Sequence, residues 1–226
     1  MNVLLLRLAG PLQSWGVQSR FAVRDTGLEP SKSGVVGLLC AALGRGRRAP
    51  VDDLARLRMG VRADQQGIVA RDFHTAQNVL KAGGGIKDTE PSSRYYLADA
   101  RFLAGLAGED LALLTRLHAA LRDPAWPLYL GRKAFVPGEP VWLDDGLLPD
   151  TDLEAAFNTY PWLGCNRRDW EALAQVRVIW EDRGGPEVRP DQPVSFAERR
   201  FASRRVKTGF LDKPPFKEVT PCTSPA

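Results

Sequence analysis

The chain has 226 residues, 44% of them hydrophobic, and 31 basic against 27 acidic side chains give it a formal net charge of +4. A chain of this length buries roughly 70–75% of its unfolded surface and folds without disulfides. Cys40, Cys165 and Cys222 are odd in number and too widely spaced to form a metal-ligand motif, so they read as free thiols in a reducing compartment. Met1–Arg7 has too few apolar residues for a signal peptide, and no run approaches the roughly 18 needed to span a bilayer. A soluble, cytoplasmic protein without membrane contact is expected. The net charge permits a polyanionic partner without demanding one. Its distribution is more informative: Arg45–Arg48, Arg167–Arg168, Arg199–Arg200 and Arg204–Lys207 are separate basic clusters. Each is either solvated surface or, if they converge in space, part of a groove.

Val3–Leu8 is an apolar run of strand length, so the chain opens on a buried strand. Residues 9–32 carry no period and read as a long loop. Ser33–Leu43 is apolar nearly all round, with Ser31 or Ser33 as N-cap and Gly44 as stop; this predicts a buried helix. Gly37 within it implies close backbone packing on a strand. After a short helix at 52–57, strands are predicted at 59–63 and 68–73, separated by Asp64–Gly67. Tyr95–Leu103 alternates into another strand, Glu109–Leu121 forms an amphipathic helix, and a last strand falls at Pro127–Leu130. This βαββαβ order predicts an α+β, ferredoxin-like (RRM-like) domain over 1–136, interrupted by an insertion at 77–94 that contains Gly83–Gly85. Residues 137–226 read as a β-rich extension packed on it, with a short helix at 153–157, a strand at 175–180 and a basic segment at 198–207.

Pro30-Ser31-Lys32-Ser33-Gly34 before a helix has the look of a phosphate-binding loop, but Ser31 and Thr26 stand where the glycines of that motif belong. No nucleotide or other cofactor is expected. A lysine, two hydroxyls and free amides at a helix N-terminus still make a seat for one phosphate; equally, Ser31 and Ser33 simply cap the helix. Adjacent acid pairs at Asp52–Asp53 and Asp144–Asp145, without matching histidines, give no two-metal centre.

Arg7–Gly16 (RLAGPLQSWG), Pro30–Leu39 (PSKSGVVGLL), Asp72–Thr75 (DFHT), Tyr129–Lys133 (YLGRK) and Arg199–Arg204 (RRFASR) resemble, in this order, the signatures of the CasD family. The likeness runs over nearly the whole chain. It implies the RAMP superfamily: a ferredoxin-like palm with a protruding β-hairpin thumb, here the insertion at 77–94. It also implies a non-catalytic role in the type I-E CRISPR surveillance complex Cascade. There such a subunit binds the 5′ handle of crRNA beside a CasC-type backbone subunit and a large CasA-type subunit. RNA contacts are implied at Gln13, Ser14, Trp15, Lys32 and Ser33 of the first two motifs, and at His74, Lys81, Lys87, Arg94, Arg132 and Lys133. Trp15, Phe21, Tyr95 and Tyr96 are either stacking platforms or core. His74 either faces RNA or is a buried, hydrogen-bonded histidine, whereas His118 reads as surface. Arg132 and Lys133 meet either phosphates or a neighbouring subunit. Relatives in type I-C systems imply an alternative, a metal-independent endoribonuclease using His74, Tyr95 and Lys81 or Lys87 as general base, general acid and cation.

Overall fold

The apolar N-terminal run forms a strand covered on both faces. In β1 (Asn2–Ala9) every residue but Arg7 is buried. The computed structural model describes residues 1–16 and 22–217; Phe21 and Cys222 lie outside the described residues. After β1 come β2 (Leu12–Gln13), β3 (Val23–Arg24), α1 (Lys32–Ala42), α2 (Asp52–Ala55) and β4 (Arg58–Gln65). The middle of the chain holds β5 (Ile68–Leu80), β6 (Ile86–Ala98), β7 (Arg101–Gly108) and α3 (Leu111–Arg122). The remainder holds β8 (Leu147–Leu148), α4 (Leu153–Thr159), α5 (Arg167–Ala172), β9 (Gln175–Glu181), β10 (Glu187–Ser195) and β11 (Arg200–Asp212).

A seven-stranded sheet in the order β10-β11-β9-β4-β7-β1-β8 forms the scaffold. Because side chains alternate across a strand, each central strand supplies two cores. Leu4, Leu6 and Leu8, with Met59, Val61, Phe102 and Leu106, pack beneath α1 and α3. Val3, Leu5, Leu103 and Val178 pack on the opposite side, beneath Leu153, Ala156 and Phe157 of α4. Gly60 and Gly105 are register partners under α4, and a Cβ on Gly105 would come within 2.6 Å of Leu153. The second, four-stranded sheet joins β2, β3 and β5 to β6.

Three expectations are corrected. Pro127–Leu130 is a loop, not the fourth strand. Pro127 has no N–H for a ladder, while Leu130 donates to Phe135 O at 2.7 Å and accepts from Ser14 N at 3.0 Å. The free edge of β1 is met instead by the two residues of β8. Tyr95–Leu103 is not one strand: Asp99, at φ 54°, turns the chain, so β6 and β7 lie in different sheets. Gly37 makes only ordinary contact, its Cβ position lying 3.7 Å from Phe196; the tight glycine of α1 is Gly34, whose Cβ would meet the Trp15 ring at 2.9 Å. The long loop at 9–32 contains β2 and β3.

One ion pair is fully buried beside α4. Arg62 and Asp64, both 0% exposed at the side chain, pair through Nε–Oδ1 at 2.6 Å and Nη2–Oδ2 at 2.8 Å. The other guanidinium protons reach the carbonyls of Phe157, in the last turn of α4, and of Tyr160 and Pro161 just beyond it. Asp64 also accepts from Leu163 N at 2.8 Å, and its carbonyl accepts from Trp162 Nε1 at 2.9 Å. Burial pushes the Asp64 carboxyl up, and Arg62 pulls it back down. Desolvation makes such a pair of little net value when intact but damaging when half removed. Asp64→Asn should therefore cost about 3–5 kcal/mol in urea unfolding. A loss below about 1 kcal/mol would show that the Arg62 carbonyl contacts alone satisfy the guanidinium.

Candidate nucleic-acid interface

β5 and β6 form an antiparallel hairpin in uniform register from Ile68↔Ala98 to Leu80↔Ile86. Its turn closes with Lys81 N donating to Gly85 O at 3.1 Å and Gly84 N to Lys81 O at 3.0 Å. Gly84 and Gly85 sit at φ 89° and 80°, the left-handed region that favours glycine, which explains the three consecutive glycines. Segment 77–94 is the distal part of this longer hairpin. At 13 residues per strand the hairpin extends about 40 Å, and among the described residues β5 pairs with β6 alone. Lys81 is exposed at the turn, and Lys87 is exposed and ion-paired with Glu90.

Cations converge at the root of the hairpin. Arg94 is opposite Asp72 of β5 on one side and opposite Arg24 of β3 on the other, so the three side chains share one face. Alternation adds His74, Ser92 and Tyr96 to it. His74 is exposed, with Nε2 at 2.5 Å from Asp72 Oδ2. Asp72 is held below the usual carboxylate range by the Phe73 N–H and then by His74. The loop after Leu130 closes the patch. Arg132 donates to the carbonyls of Arg24 (3.2 Å) and Asp25 (3.4 Å) and lies 5.5 Å from the centroid of Phe135, whose ring is 5.9 Å from Tyr96. Partial burial, then the neighbouring Arg94 and Arg24, lower the Arg132 pKa. Lys133 beside it is exposed. Like charges crowded on a half-buried platform of aromatic rings attract a phosphate. Arg24 and Phe135 carried no periodic signal; only the sheet pairing brings them in.

The first two motifs serve the fold. Gln13 is 0% exposed and donates to Leu8 O at 2.9 Å and Ala100 O at 2.7 Å, while its Oε1 accepts from Trp15 Nε1 at 3.1 Å. Ser14 is buried and donates to Tyr95 O at 3.3 Å, and Trp15 lies in the core against Gly34. The reading of Trp15 as a stacking platform is corrected. Ser31 is the N-cap of α1, accepting from Gly34 N at 3.3 Å, and Ser33 is half-buried in the first turn.

Lys32 is 1% exposed; its ammonium reaches Glu181 at 2.7 and 2.9 Å, and its backbone N–H donates to Asp191 at 2.7 Å. Burial depresses its pKa, and Glu181 raises it back. Arg204 completes this buried network through Asp191 at 2.7 Å. The phosphate seat expected at this helix N-terminus is thus occupied by two carboxylates of the chain itself, which corrects the reading of Lys32 as an RNA contact. His118 is not a surface residue either; it is half-buried, with Nε2 at 2.8 Å from Leu143 O.

Residues 3–207 match the family described as CRISPR-associated protein (Cas_Cas5). Over 224 residues the chain is 30% identical to the CRISPR system Cascade subunit CasD of Escherichia coli (strain K12), covering 90% of this chain and 93% of that protein. It is also similar to a solved structure described as a crystal structure of Cas protein: 45% identity, TM-score 0.78, 95% of this chain and 98% of the other. A chain of a CRISPR RNA-guided surveillance complex has 34% identity and a TM-score of 0.78, over 94% of this chain and 91% of its own. With the family match extending from β1 into β11, and with 30% identity to CasD over 90% of its length, the chain belongs to the Cas5 family of CRISPR-associated proteins.

Proposed function

We propose that the chain is a non-catalytic, RNA-binding subunit of a type I-E CRISPR surveillance complex. In this reading it holds the 5′ handle of crRNA and anchors a CasC-type backbone subunit and a CasA-type large subunit. The convergence of Arg24, Arg94 and Arg132 at the hairpin root carries the proposal, because it sets three guanidinium groups against the two carboxylates of Asp72 and Asp25, beside Tyr96 and Phe135. Single-stranded RNA is held by phosphate charge and by stacking of splayed bases. The strand order β8-β1-β7-β4, with α1 and α3 on one face, supports reading 1–136 as a ferredoxin-like palm, completed at its edge by β8 of the 137–226 extension. The β5–β6 hairpin is then its thumb. No helix among the described residues is long and apolar enough to cross a membrane.

The residues cast for a ribonuclease do not converge. His74 shares a hairpin face with Ser92 and Arg94, whereas Tyr95, opposite Arg71, and Lys87, opposite Val79, lie on the other face. Along β6, Lys87 and Tyr95 are also about 26 Å apart, and Lys81 lies beyond them in the turn. Transfer of a proton needs groups within hydrogen-bond reach of one substrate atom. This separation favours the clamp.

Replacing Arg94 and Arg132 together by Gln should reduce the slope of log affinity against log salt by about 1.4 for single-stranded handle RNA, two phosphate contacts at about 0.7 each. Lys32→Met in the same titration should leave affinity unchanged while lowering unfolding free energy by about 1–3 kcal/mol, since Glu181 loses its buried partner. An affinity loss with Lys32→Met at unchanged stability would restore the phosphate seat. In single-turnover assays with EDTA, repeat RNA should stay intact with wild type and with His74→Ala, the variant binding on the order of fivefold more weakly for one lost hydrogen bond. Wild-type cleavage that vanishes in His74→Ala at equal affinity would make the chain a ribonuclease.

A further inference from the structure

Cations packed into the fold and cations at the far end of the large sheet differ in their partners. Those facing inward are each matched by an acid: Lys32 with Glu181, Arg62 with Asp64, Arg177 and Arg189 with Glu29, and Arg204 with Asp191. At the end of the large sheet away from the hairpin a second population is unmatched. Arg58, Arg183, Arg205 and Lys207 are exposed, and none pairs with a carboxylate among the described residues. Arg58 Nε donates to Glu181 O at 3.0 Å and Arg205 Nη1 to Gly185 O at 3.0 Å, both backbone carbonyls, which leave the guanidinium charge uncompensated.

Register brings these residues together. Gly60, Trp180 and Lys207 are partners across β4, β9 and β11. Two residues on, the same level holds Arg58, Asp182 and Arg205, with Asp182 N donating to Arg205 O at 3.0 Å. Alternation places Arg58, Arg205 and Lys207 on the face of Trp180, whose ring stacks on Phe157 of α4 at 5.1 Å. Adjacent strands lie about 4.8 Å apart, so Arg58 and Arg205 stand about 10 Å apart, and Arg183 follows in the β9–β10 turn. Asp182 is the acid at that level, and its Oδ1 accepts from Gly184 N at 2.9 Å.

We propose that this end of the sheet is a second nucleic-acid site, which takes the phosphate backbone of a duplex independently of sequence. The patch is charged, whereas the core of a protein interface is depleted in charge and enriched in aromatic residues. The ring on its own face, Trp180, is already stacked on Phe157 and is not free to take a splayed base of the kind single strands seek. A regular double helix, read by charge alone, matches what is left. The site is distinct from the hairpin root because β4 separates them: Arg58 begins the strand and Gln65 ends it, about 23 Å away.

The test uses the full chain saturated with handle RNA and a labelled 20-base-pair DNA duplex of arbitrary sequence, titrated by fluorescence anisotropy over a salt series. Duplex should bind the RNA-loaded protein. The triple variant Arg58→Gln/Arg205→Gln/Lys207→Gln should weaken duplex binding at least on the order of tenfold at low salt and lower the salt slope by about 2.7, at 0.9 per cation, with RNA affinity kept within about twofold. Should the triple variant melt early, Arg183→Gln/Lys207→Gln, which removes no hydrogen bond of the fold, should lower the slope by about 1.8. Failure of duplex to bind the RNA-loaded protein, a folded variant with unchanged duplex affinity, or equal losses for duplex and RNA would each overturn the proposal.

Discussion

The buried Arg62–Asp64 pair fixes the part of the molecule on which the interface depends. Both residues lie within three positions of Gln65, the end of β4, just before the turn that launches the hairpin. Arg62 spends its remaining donors on the carbonyls that end α4, and Asp64 takes the Leu163 N–H and, through its carbonyl, the Trp162 indole. One ion pair therefore ties strand, helix end and following loop together at 0% exposure. Being half-satisfied is costly in such a place, so these elements hold a single arrangement. Trp162 passes the constraint on: its backbone N–H donates to Pro215 O at 2.8 Å, fastening the segment after β11.

From that root the hairpin projects with little support of its own. Both faces of β5 are largely exposed, and Ile68, Val69, Phe73 and Leu80 stand in solvent. A long strand with an unpaired edge and exposed apolar side chains is a liability in an isolated chain, and an asset in one that assembles with partners. The order at its base comes from two short strands and a loop: β3 lies parallel to β6, β2 antiparallel, and Arg132 donates to the carbonyls of Arg24 and Asp25. Three segments far apart in sequence thus set the spacing of the guanidinium groups.

Charge follows the same logic. The cations that hold the C-terminal strands to α1 have acid partners in the same fold, as with Lys32, Glu181, Asp191 and Arg204. Taking a charge out of water without a partner is prohibitive, so an inward cation must have one, whereas an outward cation may lack it. A chain of net charge +4 can therefore place cations at the hairpin root and at the far end of the large sheet while its interior cations stay paired.

What the sequence determined by itself was the local framework. Apolar periodicity located β1, α1, β4, α3 and β9 to within about two residues at most ends, because patterns of period 2 and 3.6 report burial directly. The Ser31 cap, the Gly44 stop at φ 68° and the glycine turn at 83–85 followed from residue chemistry. The motif order also made the family legible. Tertiary structure alone decided which polar residues face RNA and which hold the core. Lys32 looked like a phosphate ligand because a helix N-terminus and a lysine are local features, while Glu181, its partner, lies 149 residues away. Arg24 looked like loop because its neighbour Arg94 becomes visible only when β3 pairs with β6. The edge strand β8 is two residues long, too short to carry a period, and only the free edge of β1 selects it. Burial has a local signature in sequence; pairing between distant charges and strands has none, and that pairing builds the interface.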